Sequence, residues 1–333
     1  MRPKRLFLAG LIALGLAPGI VVRAPPPVRD FTSPVKLRSL ALERQQVGVL
    51  TLEAGWLLES DNDLFGGWSA LVAMPDGSLF AGSDSGKIMM LERPDRTQPA
   101  PKLDMMAGRG KDKRERDLEA LSLDPSTGLL WGAFEQTNTL MRIRYPRTPV
   151  TSYQPSAMAD WPDNAGPESL VQFDDGRLLV IAEDEIEDGR YRGLLFRPSP
   201  RGLGEPLAFS VEGREDYRPS EAAALPDGRL LILLRTVDWG LPPRFPVLLV
   251  LADPAQITPD AILPTRELAR IADPLPSDNF EGMTVTQEDD GRVAIWLISD
   301  DNKSRYQRTL LLKLTWDGQF PSDPDRTRQK ARR

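Results

Sequence analysis

The stretch Glu221-Ala222-Ala223-Ala224-Leu225-Pro226-Asp227-Gly228-Arg229-Leu230-Leu231-Ile232-Leu233-Leu234-Arg235 decides the fold. Two short apolar runs flank Pro-Asp-Gly, and Asp-Gly favours the tight positive-φ turn that joins antiparallel strands. The second run is apolar at consecutive positions and too short for a helix, so it reads as a strand buried on both faces. An acidic residue opens the unit and a polar residue closes it.

The same unit recurs on either side. Ser69-Ala70-Leu71 leads through Pro75-Asp76-Gly77 to Leu79–Ser83 and Asp84. Glu119-Ala120-Leu121 leads through Gly128 to Leu129–Phe134 and Glu135. Glu168-Ser169-Leu170 leads through Asp174-Asp175-Gly176 to Leu178–Ala182 and Glu183. Glu281-Gly282-Met283 leads through Asp290-Gly291 to Val293–Ile298 and Ser299-Asp300-Asp301. The opening residues lie 50, 49, 53 and 60 positions apart. Further strand-like runs follow each hairpin, at Lys87–Leu91, Thr139–Arg144, Tyr191–Phe196, Phe245–Leu251 and Thr309–Leu314. A four-stranded unit repeated at this period is the mark of an all-β β-propeller. The regular spacing argues against an irregular sandwich. Direct counting predicts five blades, with a sixth, degenerate blade built from both chain ends as the alternative. The run Val47–Glu59 is expected to supply the missing outer strand of the last blade and close the ring, and Lys36–Glu43 to add another. Residues 34–316 then form one propeller domain.

Outside that body, Arg2, Lys4 and Arg5 precede the apolar stretch Leu6–Val22, which reads as an export signal or an N-terminal anchor over residues 1–24. A Pro-rich linker (25–33) follows. Residues 317–333 make a polar, basic tail. The expected location is the periplasm, free or anchored to the inner membrane, with membrane contact only through that anchor.

The chain has 333 residues, 41% apolar and 27% charged, with a net charge of −6. It contains no Cys and no His. These two absences exclude thiolate nucleophiles, disulfides, Ser-His-Asp triads and His-ligated metals. The acidic balance argues against nucleic acid as a partner.

In a propeller, the residue opening the first strand of a blade and the residue ending the second converge on one mouth of the central channel. Here that predicts a rosette of Ser69, Glu119, Glu168, Glu221 and Glu281 with Asp84, Glu135, Glu183, Arg235 and Asp300. Carboxylates so crowded must raise their pKa values or share a cation. Oxygen-only ligands favour Ca²⁺ or Mg²⁺ over zinc or copper. The structural alternative is that each Glu caps backbone amides of a neighbouring blade. Basic residues are expected on the same face: Arg109, Lys111, Lys113, Arg114 and Arg116 before Glu119, Arg235 at the fourth exit, and Lys303, Arg305 and Arg308 after Asp300. They suit a small phosphorylated or otherwise anionic ligand. No nucleophile elbow, Walker loop or EF-hand is present.

Several motifs carry a family resemblance. They are Phe65-Gly66-Gly67-Trp68-Ser69-Ala70-Leu71, Asp117-Leu118-Glu119-Ala120-Leu121, Asp278-Asn279-Phe280-Glu281-Gly282-Met283, and Leu297-Ile298-Ser299-Asp300-Asp301-Asn302 followed by Gln307-Arg308-Thr309-Leu310-Leu311. From about Ser60 to Leu314 the chain resembles the phytase-like propeller family, which goes by the description "esterase-like activity of phytase". The resemblance implies a propeller, an exported bacterial protein and hydrolysis of phosphoric esters with Ca²⁺ held by carboxylates. The rosette and the basic insertions, rather than a residue-by-residue match to the family, make Glu119, Glu168, Glu221 and Glu281 the candidate catalytic acids. Glu119, Glu168, Glu281 and Asp300 are the candidate metal ligands, and Arg114, Arg235 and Arg308 the candidate phosphate-binding cations. The competing expectation is a non-catalytic envelope propeller that binds a ligand or a protein, its carboxylates being structural.

Overall fold

The computed structural model describes residues 28–319, apart from 99, 107–111, 188, 200–201 and 305. The expected signal segment, most of the basic tail, Arg109, Lys111 and Arg305 therefore lie outside the described residues. Those described contain no α-helix and five sheets, antiparallel but for one short parallel edge strand.

Blade 1 is Trp68–Ala73, Leu79–Ser83, Lys87–Leu91 and Lys102–Met105. Blade 2 is Leu118–Leu123, Leu129–Phe134, Thr139–Arg144 and Thr148–Tyr153. Blade 3 is Pro167–Gln172, Leu178–Glu185, Arg190–Ser199 and Gly202–Glu212, with Ile262–Leu263 added in parallel at its edge. Blade 4 is Arg218–Ala224, Leu230–Arg235, Val247–Ala252 and Arg266–Ile271. Blade 5 starts with Phe280–Gln287, Val293–Ser299 and Thr309–Trp316 and is completed by Leu50–Glu59 and Lys36–Ser39 from the other end of the chain. The first strand of each blade packs on those of both neighbours, and blade 5 meets blade 1. The ring is closed.

This removes the sixth-blade alternative. The chain leaves blade 5 after Thr309–Trp316, whose open edge takes up Leu50–Glu59 with Thr309 opposite Leu58 and Thr315 opposite Thr51. Unpaired edge groups are satisfied more cheaply there than in a separate two-ended sheet. The expected continuous strand Val47–Glu59 is instead broken at Gly48. That glycine has φ +63°, and a Cβ there would stand 2.1 Å from the Leu268 carbonyl oxygen.

Burial explains the unbroken apolar runs. Leu231 and Leu233 enter the core between blades 4 and 5, while Leu230, Ile232 and Leu234 enter the core between blades 3 and 4. Five such cores lie between successive blades. A strand between two cores has no wet face and cannot alternate. The hairpin turns are as expected: the Gly228 amide donates to the Leu225 carbonyl at 2.9 Å, at φ +84°, and the Asp227 carboxylate accepts from the Arg229 amide at 3.0 Å.

Candidate functional site: the carboxylate mouth of the channel

Each inner strand breaks register once, near its start. The extra residue is Ser69, Glu119, Glu168, Ser220 or Glu281. Such a bulge turns one side chain out of the normal alternation. The exit residues are held across from it by a recurring bond. The amides of Asp84, Glu135, Glu183 and Asp300 donate to the carbonyls of Gly67, Asp117, Gly166 and Asn279 at 2.8–3.2 Å.

The bulge corrects one expectation. In blade 4 the extra residue is Ser220, and Glu221 is the next one, paired with Leu233. Its equivalents are Ala70, Ala120, Ser169 and Gly282, the small residues where neighbouring inner strands approach. Glu221 is fully buried, and its Oε1 accepts from the Ala222 amide at 2.9 Å. Burial pushes its carboxyl well up, only partly opposed by the Ala222 and Leu170 amides. Glu221 thus belongs to the blade seam rather than to the mouth. The two bulge serines are seam latches: Ser69 Oγ donates to the Leu118 carbonyl at 2.5 Å, and Ser220 Oγ to the equivalent Phe280 carbonyl at 3.4 Å.

The other three bulge acids do face one another electrostatically. Burial first, then the charges of Glu168, Glu281, Asp117 and Glu135, push the Glu119 carboxyl well up. Glu168 is raised by burial and by Glu183, with Arg235 opposing. Glu281 is raised by burial, against the pull of Arg235 and of the Asn279 side chain, whose Nδ2 donates to Glu281 Oε1 at 2.8 Å. Burial and the neighbouring Glu281 bring Asp300 up to about 8. Burial and Asp117 bring Glu135 up to about 7. Glu119 and Glu281 remain half-buried, Glu168 is buried.

Arg235 supplies the positive charge inside this ring. One terminal nitrogen lies 3.2 Å from Glu183 and 3.6 Å from Glu281, and the other donates to Asn279 Oδ1 at 3.4 Å. Asn279 therefore bridges Arg235 and Glu281, a link that the sequence reading missed. Arg114 and Arg308 are engaged elsewhere. Arg114 is exposed and meets Asp163 at 3.4 Å. Arg308 grips buried Asp278 through its amide and Nε at 3.1 and 3.3 Å. The three expected phosphate-binding cations thus have different partners: Asp163 for Arg114, Glu183 and Glu281 for Arg235, and Asp278 for Arg308.

Among the described residues, the carboxylate group whose oxygens come together within 4.8 Å is Asp117, Glu119 and Glu135. Of the expected ligands it shares only Glu119. Glu168, Glu281 and Asp300 stand on blades 3 and 5. Asp117 and Glu119 alternate across Leu118 at the start of blade 2, and Glu135 comes from the end of the adjacent strand. The Asp-Leu-Glu spacing was the available signal. Three hard oxygen donors crowded this closely suit a divalent cation of the calcium type.

Fold and site together define a five-bladed propeller with a carboxylate-lined mouth. The family model described as Phytase-like, esterase-like activity of phytase, matches residues 63–303. The chain belongs to that family. Its fold is also similar to those of several solved structures. One is a Bacteroides thetaiotaomicron protein of unknown function, at 12% identity and TM-score 0.49 over 85% of this chain and 76% of that one. Others are a Xanthomonas campestris gluconolactonase (11%, 0.45, 88% and 99%) and the Kuenenia stuttgartiensis hydrazine synthase (14%, 0.39, 76% and 71%). These likenesses carry no functional weight. No curated protein matches the chain.

Proposed function

We propose that this protein is a calcium-dependent hydrolase of small phosphoric esters, exported and acting at the carboxylate mouth. The observation that carries the reading is the convergence of Asp117, Glu119 and Glu135 oxygens within 4.8 Å. These three residues would hold the cation, which when bound supplies charge neutralisation to a phosphoryl oxygen. Glu168, whose carboxyl is pushed up by burial and by Glu183 against the pull of Arg235, is the group we assign to deliver a proton to a leaving oxygen. Arg235 keeps the Glu183 and Glu281 side of the mouth from adding more unpaired negative charge. Family membership supports the substrate class.

The test is turnover of p-nitrophenyl phosphate and phytate by the full chain with calcium and with EDTA. Chelator-sensitive turnover is expected. Glu119→Gln should weaken calcium binding at least about tenfold by calorimetry. Activity indifferent to chelator, or absent, overturns the reading. The Arg235 contacts favour a second reading, in which the mouth is already neutralised from within and the protein is a non-catalytic binding propeller. That reading expects no stoichiometric calcium site.

Stability should report the same charge. Raised carboxyls bind protons in the folded state that the unfolded chain has released, so stability is full below the unfolded pKa and is lost as pH rises through the folded one. With Glu135 near 7 and Asp300 near 8, the calcium-free protein should lose roughly 5 °C or more of Tm between pH 5 and pH 8. Calcium should restore Tm at pH 8 and do little at pH 5. A flat or opposite profile in thermal scans counts against the crowded mouth.

A further inference from the structure

We propose that blade 4 carries a docking site for a basic, arginine-bearing segment of a partner protein, centred on Trp239. This surface is separate from the calcium-type cluster and does not rest on the proposed hydrolysis.

Trp239 is 86% exposed, and Leu241 is fully exposed beside it. They tip the loop between the second and third strands of blade 4, on the face of the mouth. A Trp and a Leu left in water together are an unspent apolar surface of the kind found where partners bind. The loop displays them in a set conformation. The Asp238 amide donates to the Arg244 carbonyl at 2.9 Å, the Arg244 amide returns a bond at 3.0 Å, and Arg244 pairs with Asp273 at 3.2 Å. A pre-ordered loop loses little entropy when it is covered.

Charge complementarity selects the occupant. At the foot of the loop is a cavity of about 270 Å³, lined by Glu215, Asp216, Tyr217, Asp238 and Trp239 among others. Glu215 meets Arg270 only at 3.9 Å. Asp216 and Asp238 have no side-chain ion pair among the described residues. Anionic groups beneath an exposed indole are complementary to a guanidinium, which pairs with carboxylates and lies against an aromatic face. Tyr217, one of the lining residues, already shows this chemistry: Arg270 lies 5.0 Å over its ring and donates to its hydroxyl at 2.8 Å. Leu241 would cover an apolar residue next to the incoming arginine. On blade 5 the equivalent loop presents Tyr306, 89% exposed.

The test is fluorescence anisotropy with the full chain and a fluorescein-labelled peptide of alternating leucine and arginine. Saturable binding that weakens with salt is expected. Trp239→Ala and the double variant Asp216→Asn/Asp238→Asn should each weaken it at least about tenfold. The same peptide with citrulline for arginine should fail to bind. All these side chains are exposed, so Tm should stay at the wild-type value. Calcium binding by Trp239→Ala should also be unchanged, which separates failure here from failure of the proposed hydrolysis. Equal binding by Trp239→Ala, or no saturation, overturns the proposal. So does self-association of the chain abolished by Trp239→Ala, which assigns the surface to a second copy. Trp239-dependent sedimentation with phosphatidylcholine vesicles overturns it in favour of lipid.

Discussion

Arg235→Met is expected to cost about 3–5 kcal/mol of stability at pH 8, the usual consequence of leaving buried charge without its partner. The arginine side chain is 22% exposed, and Glu183 and Glu281 are 13% exposed, so water cannot take over its role. Methionine keeps most of the volume and removes the charge. The sign of the pH dependence follows from the neighbours. Arg235 pulls the Glu281, Glu168 and Glu135 carboxyls downward, so without it their folded-state pKa values rise further. Below the unfolded carboxyl pKa both states are protonated and the missing cation matters least. The penalty then grows as pH rises from about 5 to 8. Urea unfolding of Arg235→Met at both ends of that range is the measurement. A loss independent of pH, or below about 1 kcal/mol at pH 8, would show that the guanidinium is not the counter-ion of the mouth. Arg235→Lys should recover only part of the loss, because an ammonium cannot span Glu183, Glu281 and the Asn279 oxygen together.

Gly282→Ala should destabilise by roughly 3 kcal/mol, from a single added methyl. A Cβ there would stand 2.9 Å from the Ala70 carbonyl carbon, 3.0 Å from the Leu71 amide nitrogen and 2.7 Å from Ile298 Cγ2. Ile298 has a side chain that can turn away. Ala70 and Leu71 offer backbone, which moves only if the inner strands of blades 5 and 1 part. That seam closes the ring, so its strain is not relieved at a free edge. Gly240→Ala is the control: only the Pro242 carbonyl oxygen comes near, at 3.4 Å, and the change should stay within about 0.5 kcal/mol. Chemical denaturation of the two variants decides the point. Equal stabilities would refute the close approach at the seam.

The hairpins were legible because their signals are local. Asp227-Gly228 needs only its own turn geometry, and Leu230–Leu234 is apolar throughout because each strand face meets a different blade. Closure by the N-terminal strand was legible from arithmetic, since the last repeat lacked an outer strand. Glu221 was misplaced by one position. Ser220 and Glu221 are both polar, and nothing in that dipeptide tells which of them bulges. Pairing with Leu233 and Leu234 on the next strand settles it. Asp117 and Glu135 were visible as acids but not as partners of Glu119, because 4.8 Å convergence depends on how two strands of blade 2 are staggered.

Repetition of a turn and an apolar strand, encoded within a dozen residues, was enough to specify a ring of blades with acids around one mouth. The absence of Cys and His limited chemistry there to oxygen donors and arginine. Which acids meet, which one is withdrawn into a seam, and that Arg235 lies among them were settled by bulges, register and the packing of blade on blade. Those depend on contacts between residues far apart in the chain, where a displacement of one position moves a carboxylate from the channel into the wall.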